Sequence, residues 1–175
     1  MDALPLTRLA SLFRYPSQQM SDDVQAARIA VEAAGFQIAT RHLETFAADI
    51  AFHTLHELQE RYAHTFDFNG DTTLETGWHL FGEQYARGIY LAKVRRLLAQ
   101  YEIAEEELLP DNLLLALILA ERLPEDEAGD FIRTCVIPAC AILRANLEKI
   151  QSSYAILLSA VEAVLSEHSQ EATIP

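Results

Sequence analysis

Three histidines and two glutamates fall within twelve residues of the chain: His53, His56, Glu57, Glu60 and His64. On a helix these spacings place all five side chains along a common face, and imidazole and carboxylate groups are ligands for zinc, iron and manganese. Helical di-iron and di-manganese proteins use Glu-x-x-His on two helices, a motif that is absent from this sequence. We therefore expect a solvated polar face, and a small helical metalloprotein stays as the alternative.

The two cysteines, Cys135 and Cys140, do not have the Cys-x-x-Cys spacing of zinc and redox sites. We interpret them as buried, inert thiols without a disulfide. The sequence also contains no glycine-rich phosphate loop and no Gly-x-Ser-x-Gly elbow. No feature of the sequence promotes catalysis, and we expect the protein not to be an enzyme and to have no metal or cofactor of its own.

Aromatic residues gather on both sides of a turn around Gly70. They are Tyr62, Phe66 and Phe68 before the turn, and Trp78, Phe81 and Tyr85 after it. Glycines at positions 77, 82 and 88 permit close backbone approach or bends in the second group. Such aromatics are either ordinary core or the floor of a peptide groove, since recognition of a helix in a groove needs an apolar floor and a charged rim.

Apolar residues recur every three or four positions almost throughout the chain, which is the helical period. The predicted helices cover residues 7–15, 24–34, most of 36–69, 83–101, 110–123, 125–135 and 139–167. Pro110 begins the fifth of these helices, with Asp111 as a possible cap. The pattern predicts one all-α domain over residues 1–175, a bundle of about six or seven helices, with 170–175 as a flexible tail.

The chain is strongly acidic, with 26 acids against 13 bases and a formal net charge of −13. Ten of the acids and only one base lie between Glu102 and Asp130. This charge disfavours nucleic acid and anionic lipid and favours a basic partner. The longest apolar run, Leu113 to Ala120, is too short to span a bilayer, and the N-terminus has no signal-peptide pattern. We expect a cytoplasmic protein.

Five stretches, in order, resemble the NarJ-type nitrate reductase assembly chaperones, also called the delta subunit, of the broader TorD/DmsD group. They are residues 9–16 (LASLFRYP), 58–67 (LQERYAHTFD), 81–88 (FGEQYARG), 107–113 (ELLPDNL), and the closing pair 123–124 (LP) with 153–158 (SYAILL). Two departures stand out: Asn112 replaces the histidine of the family's Pro-Asp-His, and the chain ends soon after His168.

The resemblance implies an all-helical chaperone that binds the N-terminal leader of a molybdenum-containing catalytic subunit while the molybdenum cofactor is inserted. The client would be nitrate reductase or a related enzyme acting on chlorate, selenate, dimethyl sulfide or ethylbenzene. The chaperone would be a monomer or weak homodimer that binds no nucleic acid and does not insert into the membrane. A generic helical adaptor for some other basic partner is the remaining alternative.

On this interpretation the leader binds in a groove with an aromatic floor and an acidic rim. The predicted walls are Tyr62, Phe66, Trp78, Phe81 and Leu114. Glu83 and Asp111 are expected to face the basic residues of the leader, with Pro110 and Asn112 beside them, and Arg87 to pair with a carboxylate that fixes the groove.

Overall fold

The computed structural model describes residues 4–171, and within this range it forms helices and no β-strand. The all-α prediction is confirmed. The described residues form ten α-helices: α1 (Leu6–Ser11), α2 (Met20–Ala33), α3 (Gln37–Ile50), α4 (Leu55–Tyr62), α5 (Thr76–Phe81), α6 (Tyr85–Gln100), α7 (Leu113–Arg122), α8 (Glu125–Phe131), α9 (Ile137–Lys149) and α10 (Tyr154–Glu171). Two π-helical segments, Ala63–Asp67 and Ile132–Val136, continue α4 and join α8 to α9.

There are more helices than the predicted six or seven because two long apolar patterns are interrupted by local backbone geometry. Thr54 is extended and begins α4 with a capping box: its hydroxyl accepts from the Glu57 amide at 3.3 Å, and the Glu57 carboxylate accepts from the Thr54 amide at 2.7 Å. Gln151 has a φ of 55°, which separates α9 from α10. In addition, α5 forms inside a segment predicted to be irregular.

The core is built on α7 and α10. Helix α7 is apolar on nearly every side and is therefore buried almost completely. Seven of its ten residues are buried leucines and alanines. It packs against α1, while α10 packs against α3 and α9. A cluster of buried apolar side chains extends from Leu6 to Leu165. Within the described range, no helix combines the length and the apolar character that a membrane span needs.

The start of α7 differs from the prediction by a few residues. The helix begins at Leu113, and its cap is Asn112, whose side-chain oxygen accepts from the Leu114 amide at 3.0 Å. Asp111 is therefore not the cap. Of the predicted tail, residues 170 and 171 belong to α10, and residues 172–175 lie outside the described range.

Candidate functional site

A groove of about 700 Å³ lies between the end of α1, the end of α4 and the start of α7. Three of the predicted site residues line it together: Tyr62, Asn112 and Leu114. Its remaining walls come from the segment after α1, the loop at 106–108, and Leu74. The groove therefore brings together parts of the chain that are separated by up to about a hundred positions.

The floor of the groove is apolar and aromatic. The side chains of Phe13, Leu74 and Leu114 are almost fully buried beneath it. The Tyr62 ring meets Tyr15 nearly edge-on at 5.4 Å between centroids, and Tyr15 itself is 55% exposed. Edge-to-face packing holds such rings in place while leaving a face for a further apolar group. This floor can accept the apolar side chains of a bound peptide.

The rim of the groove is acidic. It carries the carboxylates of Asp67, Glu106 and Glu107 and one guanidinium, Arg14, whose Nη1 lies 3.0 Å from Glu106 Oε2. The hydrogen bond from Arg14 lowers the pKa of Glu106. Among the described residues, Asp67 and Glu107 form no ion pair. Two carboxylates of the rim are therefore left for a cation that enters the groove.

The π-helical segment Ala63–Asp67 determines where one of these acids lies. The Phe68 amide donates to the Ala63 carbonyl at 3.1 Å, across five residues instead of four. The wider turn leaves Phe66 buried against Tyr62, at 4.9 Å between ring centroids, and Asp67 exposed at the rim. π-helical turns of this kind are frequent at functional sites.

Asp111 requires a correction, because it does not face the groove. Its side chain is 0% exposed, and its Oδ2 accepts hydrogen bonds from Nε and Nη2 of Arg87, both at 3.2 Å. Burial raises the pKa of Asp111, while the charge of Arg87 opposes the shift. Arg87 pairs with Asp111 and also with Glu75, at 2.7 Å, while its predicted role in fixing the groove stays a prediction. Pro110, the residue before Asp111, is buried as well.

Four other predicted residues are not at the groove surface. Phe66 lies beneath Tyr62 in the core, and Trp78 lies over the Arg87 guanidinium, 5.6 Å from ring centroid to carbon. Phe81 packs on Tyr90 at 5.5 Å, and Glu83 is exposed in the turn after α5. The prediction placed these residues together from their proximity in sequence, but α5 directs Trp78 and Phe81 toward Arg87 and Tyr90 of α6 instead.

Several residues that line the groove were missed as individual site residues. They are Phe13, Arg14, Tyr15, Asp67, Leu74, Glu106, Glu107 and Leu108. Most of them belong to stretches 9–16, 58–67 and 107–113, which carry the family resemblance. The signal that could have found them is this shared membership, since residues of all three stretches line the groove.

A second cavity, of about 680 Å³, lies between α3, α9 and α10. Arg144 lines it and donates from Nε to Glu162 at 2.6 Å, which leaves its charge neutralised. Burial raises the pKa of Glu162, and the Arg144 charge opposes that shift. No predicted site residue and no family-like stretch reaches this cavity, so the first groove is the better candidate.

The histidine and glutamate cluster is on the surface. His56 and Glu60 are 81% and 61% exposed in their side chains and lie 3.5 Å apart, while Glu57 belongs to the capping box of α4. Across the described part of the chain, no group of three or more histidine, cysteine or acidic side chains is arranged to hold a metal ion. The exposure of these side chains matches the solvated polar face that the sequence predicts. Cys135 and Cys140 are both free thiols.

Comparison with known proteins agrees with the resemblance predicted from the motifs. The family profile described as "Nitrate reductase delta subunit" matches residues 30–170. The chain is 27% identical over 176 residues to the "Probable nitrate reductase molybdenum cofactor assembly chaperone NarJ" of Bacillus subtilis, covering 98% of this chain and 95% of that protein.

The chain is also 35% identical over 105 residues to the "Nitrate reductase molybdenum cofactor assembly chaperone NarJ" of Escherichia coli K12. This match covers 58% of the chain and 43% of the E. coli protein. Both relatives are named as chaperones and not as catalysts, in agreement with the expectation that the chain is not an enzyme. The chain belongs to the nitrate reductase delta subunit family.

Proposed function

We propose that this protein is an assembly chaperone for a molybdenum-containing oxidoreductase of the nitrate reductase type. It binds the N-terminal leader of the catalytic subunit in the groove between α1, α4 and α7 while the molybdenum cofactor is inserted. The family membership and the names of the relatives support the chaperone role. The protein acts in the cytoplasm as a monomer or weak homodimer, with no cofactor of its own.

One observation carries the assignment of the groove: three of the stretches that carry the family resemblance meet there. Stretch 9–16 contributes Phe13 to Tyr15, stretch 58–67 contributes Tyr62 and Asp67, and stretch 107–113 contributes Glu107 and Asn112. Core packing by itself does not require an acidic rim around a partly open aromatic floor. The combination supports a binding surface for a segment that is both apolar and basic.

The chemistry of the groove supports a leader that carries an arginine next to apolar residues. A guanidinium that pairs with a desolvated carboxylate gains about 1.5–3 kcal/mol, and an exposed pair gains at most about 1 kcal/mol. Asp67 and Glu107 are both exposed, so they contribute mainly to selecting a cationic segment and to the rate of encounter. Burial of leader side chains against Tyr15 and Tyr62 supplies most of the affinity. The resulting moderate affinity allows release of the client.

The test is calorimetric titration with a synthetic peptide of the first thirty residues of the nitrate reductase catalytic subunit from the same organism. We expect the double variant Asp67→Lys with Glu107→Lys to bind at least tenfold more weakly than the natural protein. The matched control, Glu44→Lys with Glu102→Lys, makes the same change in net charge at exposed acids outside the groove. It should bind within about twofold of the natural protein.

Equal losses in the two double variants would show that the groove is not the binding surface. The chaperone role itself is tested in cells. A strain lacking this gene should accumulate catalytic subunit with little molybdenum, measured by elemental analysis of the purified subunit. A fully loaded subunit in that strain would contradict the role.

A further inference from the structure

The segment before α5 is joined to the start of α7 by an isolated antiparallel contact between Glu75 and Asn112. The Leu113 amide donates to the Leu74 carbonyl at 2.7 Å, and the Thr76 amide donates to the Asp111 carbonyl at 2.7 Å. The Thr76 hydroxyl donates to the same carbonyl at 2.8 Å. These three bonds hold together two segments that lie about forty residues apart in sequence.

A buried ion pair lies directly behind this contact. Both Nε and Nη2 of Arg87 donate to Asp111 Oδ2, and Nη2 also donates to Glu75 Oε2. Arg87 thus connects one residue from each side of the backbone contact. The Asp111 carboxylate is inaccessible to solvent, and its Oδ1 has no hydrogen-bond partner within the described structure. Arg87 is the group that compensates its charge.

Neighbouring groups pack closely around the Arg87–Asp111 ion pair. The Trp78 ring lies over the Arg87 guanidinium. Gly77 approaches so closely that a Cβ at that position would lie 2.7 Å from Asp111 Oδ2 and 2.8 Å from the Tyr90 ring. The ion pair is therefore held in one arrangement by packing on several sides.

The backbone contact connects this network to the groove. Leu74 and Asn112, which take part in the contact, line the groove, as does Leu114 two residues further along the chain. Neither Arg87 nor Asp111 lines it. We propose that Arg87 and Asp111 are positioning residues for the groove: their ion pair fixes the contact between 74–76 and 111–113 and so sets the wall formed by Leu74, Asn112 and Leu114. This inference rests on the proposed function only in taking the leader as the ligand.

The first test uses the thirty-residue leader peptide and the variants Arg87→Met, Asp111→Asn and the double variant. We expect each single variant to bind the peptide about tenfold more weakly, with its helix content by circular dichroism retained. Because the two residues act through each other, the double variant should lose no more affinity than the worse single variant. Additive losses, or unchanged affinity in Arg87→Met, would overturn the proposal.

Arg95→Met is the matched control. Arg95 lies on the same helix, α6, and is ion-paired with Glu105 at 3.0 Å, but it is 58% exposed. Its loss removes a surface ion pair without touching the contact between 74–76 and 111–113, so peptide affinity should be retained. A loss as large as that of Arg87→Met would indicate a general effect of α6 and would overturn the positioning role.

A second measurement needs no ligand. Hydrogen exchange of the Thr76 and Leu113 amides should be at least tenfold faster in Arg87→Met than in the natural protein or Arg95→Met. Emission of Trp78, the only tryptophan in the chain, should shift as the guanidinium is removed. Unchanged exchange at both amides would overturn the proposal, whether or not the peptide binds. Failure of the peptide to bind the natural protein would instead count against the proposed function.

Glu75→Gln covers the case in which Asp111→Asn does not fold. Glu75 is 30% exposed and outside the groove lining, so its neutral analogue leaves the Arg87–Asp111 pair in place. We expect a loss of peptide affinity of about threefold or less and a small increase in exchange at Thr76. A larger loss than in Arg87→Met would show that the Arg87–Asp111 pair does not set the groove wall, and would overturn the proposal.

Discussion

The phenol of Tyr62 donates a hydrogen bond to the backbone carbonyl of Phe13 at 2.9 Å, which joins α4 to the segment after α1 across the floor of the groove. Burial raises the pKa of Tyr62 to about 12, and the negative charge of Asp67 adds to the shift. The phenol therefore keeps its proton, and remains a donor, throughout the neutral range. A single side chain thus connects two of the segments that form the groove.

Replacing Tyr62 by phenylalanine tests this connection. We expect Tyr62→Phe to lower the free energy of unfolding by about 1–2 kcal/mol, because the buried Phe13 carbonyl loses its donor. Urea denaturation followed by circular dichroism measures the change. Tyr15→Phe is the control, since Tyr15 is largely exposed, and should be neutral within about 0.5 kcal/mol. Equal stability of the two variants would contradict a role for the Tyr62 hydroxyl.

Two glycines should respond in opposite directions to alanine. Gly77→Ala places a methyl group against Asp111 and Tyr90, and we expect it to destabilise the fold by about 1–3 kcal/mol through overpacking. Gly88 lies within α6, and no neighbouring atom lies within 4 Å of the place that a Cβ would take there. Gly88→Ala should therefore stabilise by up to about 1 kcal/mol through helix propensity. Thermal unfolding of both variants shows whether each substitution stabilises or destabilises the fold. A change in the same direction for both would be inconsistent with this packing.

The capping box of α4 predicts a dependence of stability on pH. The Thr54 amide and hydroxyl both donate to the Glu57 carboxylate, and these bonds lower the pKa of Glu57 below its ordinary value of 4.5. The stabilising contribution is therefore present above the unfolded pKa and is lost as the pH falls through the folded pKa. Thr54→Ala should lower the free energy of unfolding by about 1 kcal/mol at pH 7 and by less at pH 3.

Thermal unfolding of Thr54→Ala and the natural protein at both pH values measures this difference. Glu57→Gln is the control for the carboxylate, because it removes the titrating group but keeps the side-chain length. The difference in thermal stability between Glu57→Gln and the natural protein should become smaller from pH 7 to pH 3. A stability difference that grows as the pH falls would mean that the folded-state pKa of Glu57 is not lowered.

The two thiols should differ in reactivity. Cys140 is fully buried, and burial raises the pKa of its thiol, so little thiolate is available for reaction. Cys135 is half-buried. A thiol-specific chromogenic reagent should label one cysteine in the native protein and two after unfolding in urea. Cys135→Ser should abolish the native labelling, and persistent labelling in that variant would place Cys140 within reach of solvent.

The sequence by itself determined the helical class and the family, because both depend on local patterns. Apolar residues at intervals of three and four define a buried helix face without reference to the rest of the chain. The order of the family-like stretches can likewise be read along the chain. The same locality explains the errors in helix number: the interruptions at Thr54 and Gln151 depend on backbone geometry that a continuing apolar period conceals.

Only the tertiary structure decided which side chains line the groove. Asp111 lies in an acidic stretch and next to the groove residue Asn112, yet it is buried because Arg87, twenty-four positions earlier, meets it from α6. Arg14 and Glu106, ninety-two positions apart, meet at the rim. Ion pairs between residues so far apart in sequence form only when the helices pack. No local sequence pattern indicates which charged side chain pairs with which. The direction of a polar side chain, inward or toward a ligand, is therefore a property of the packed bundle.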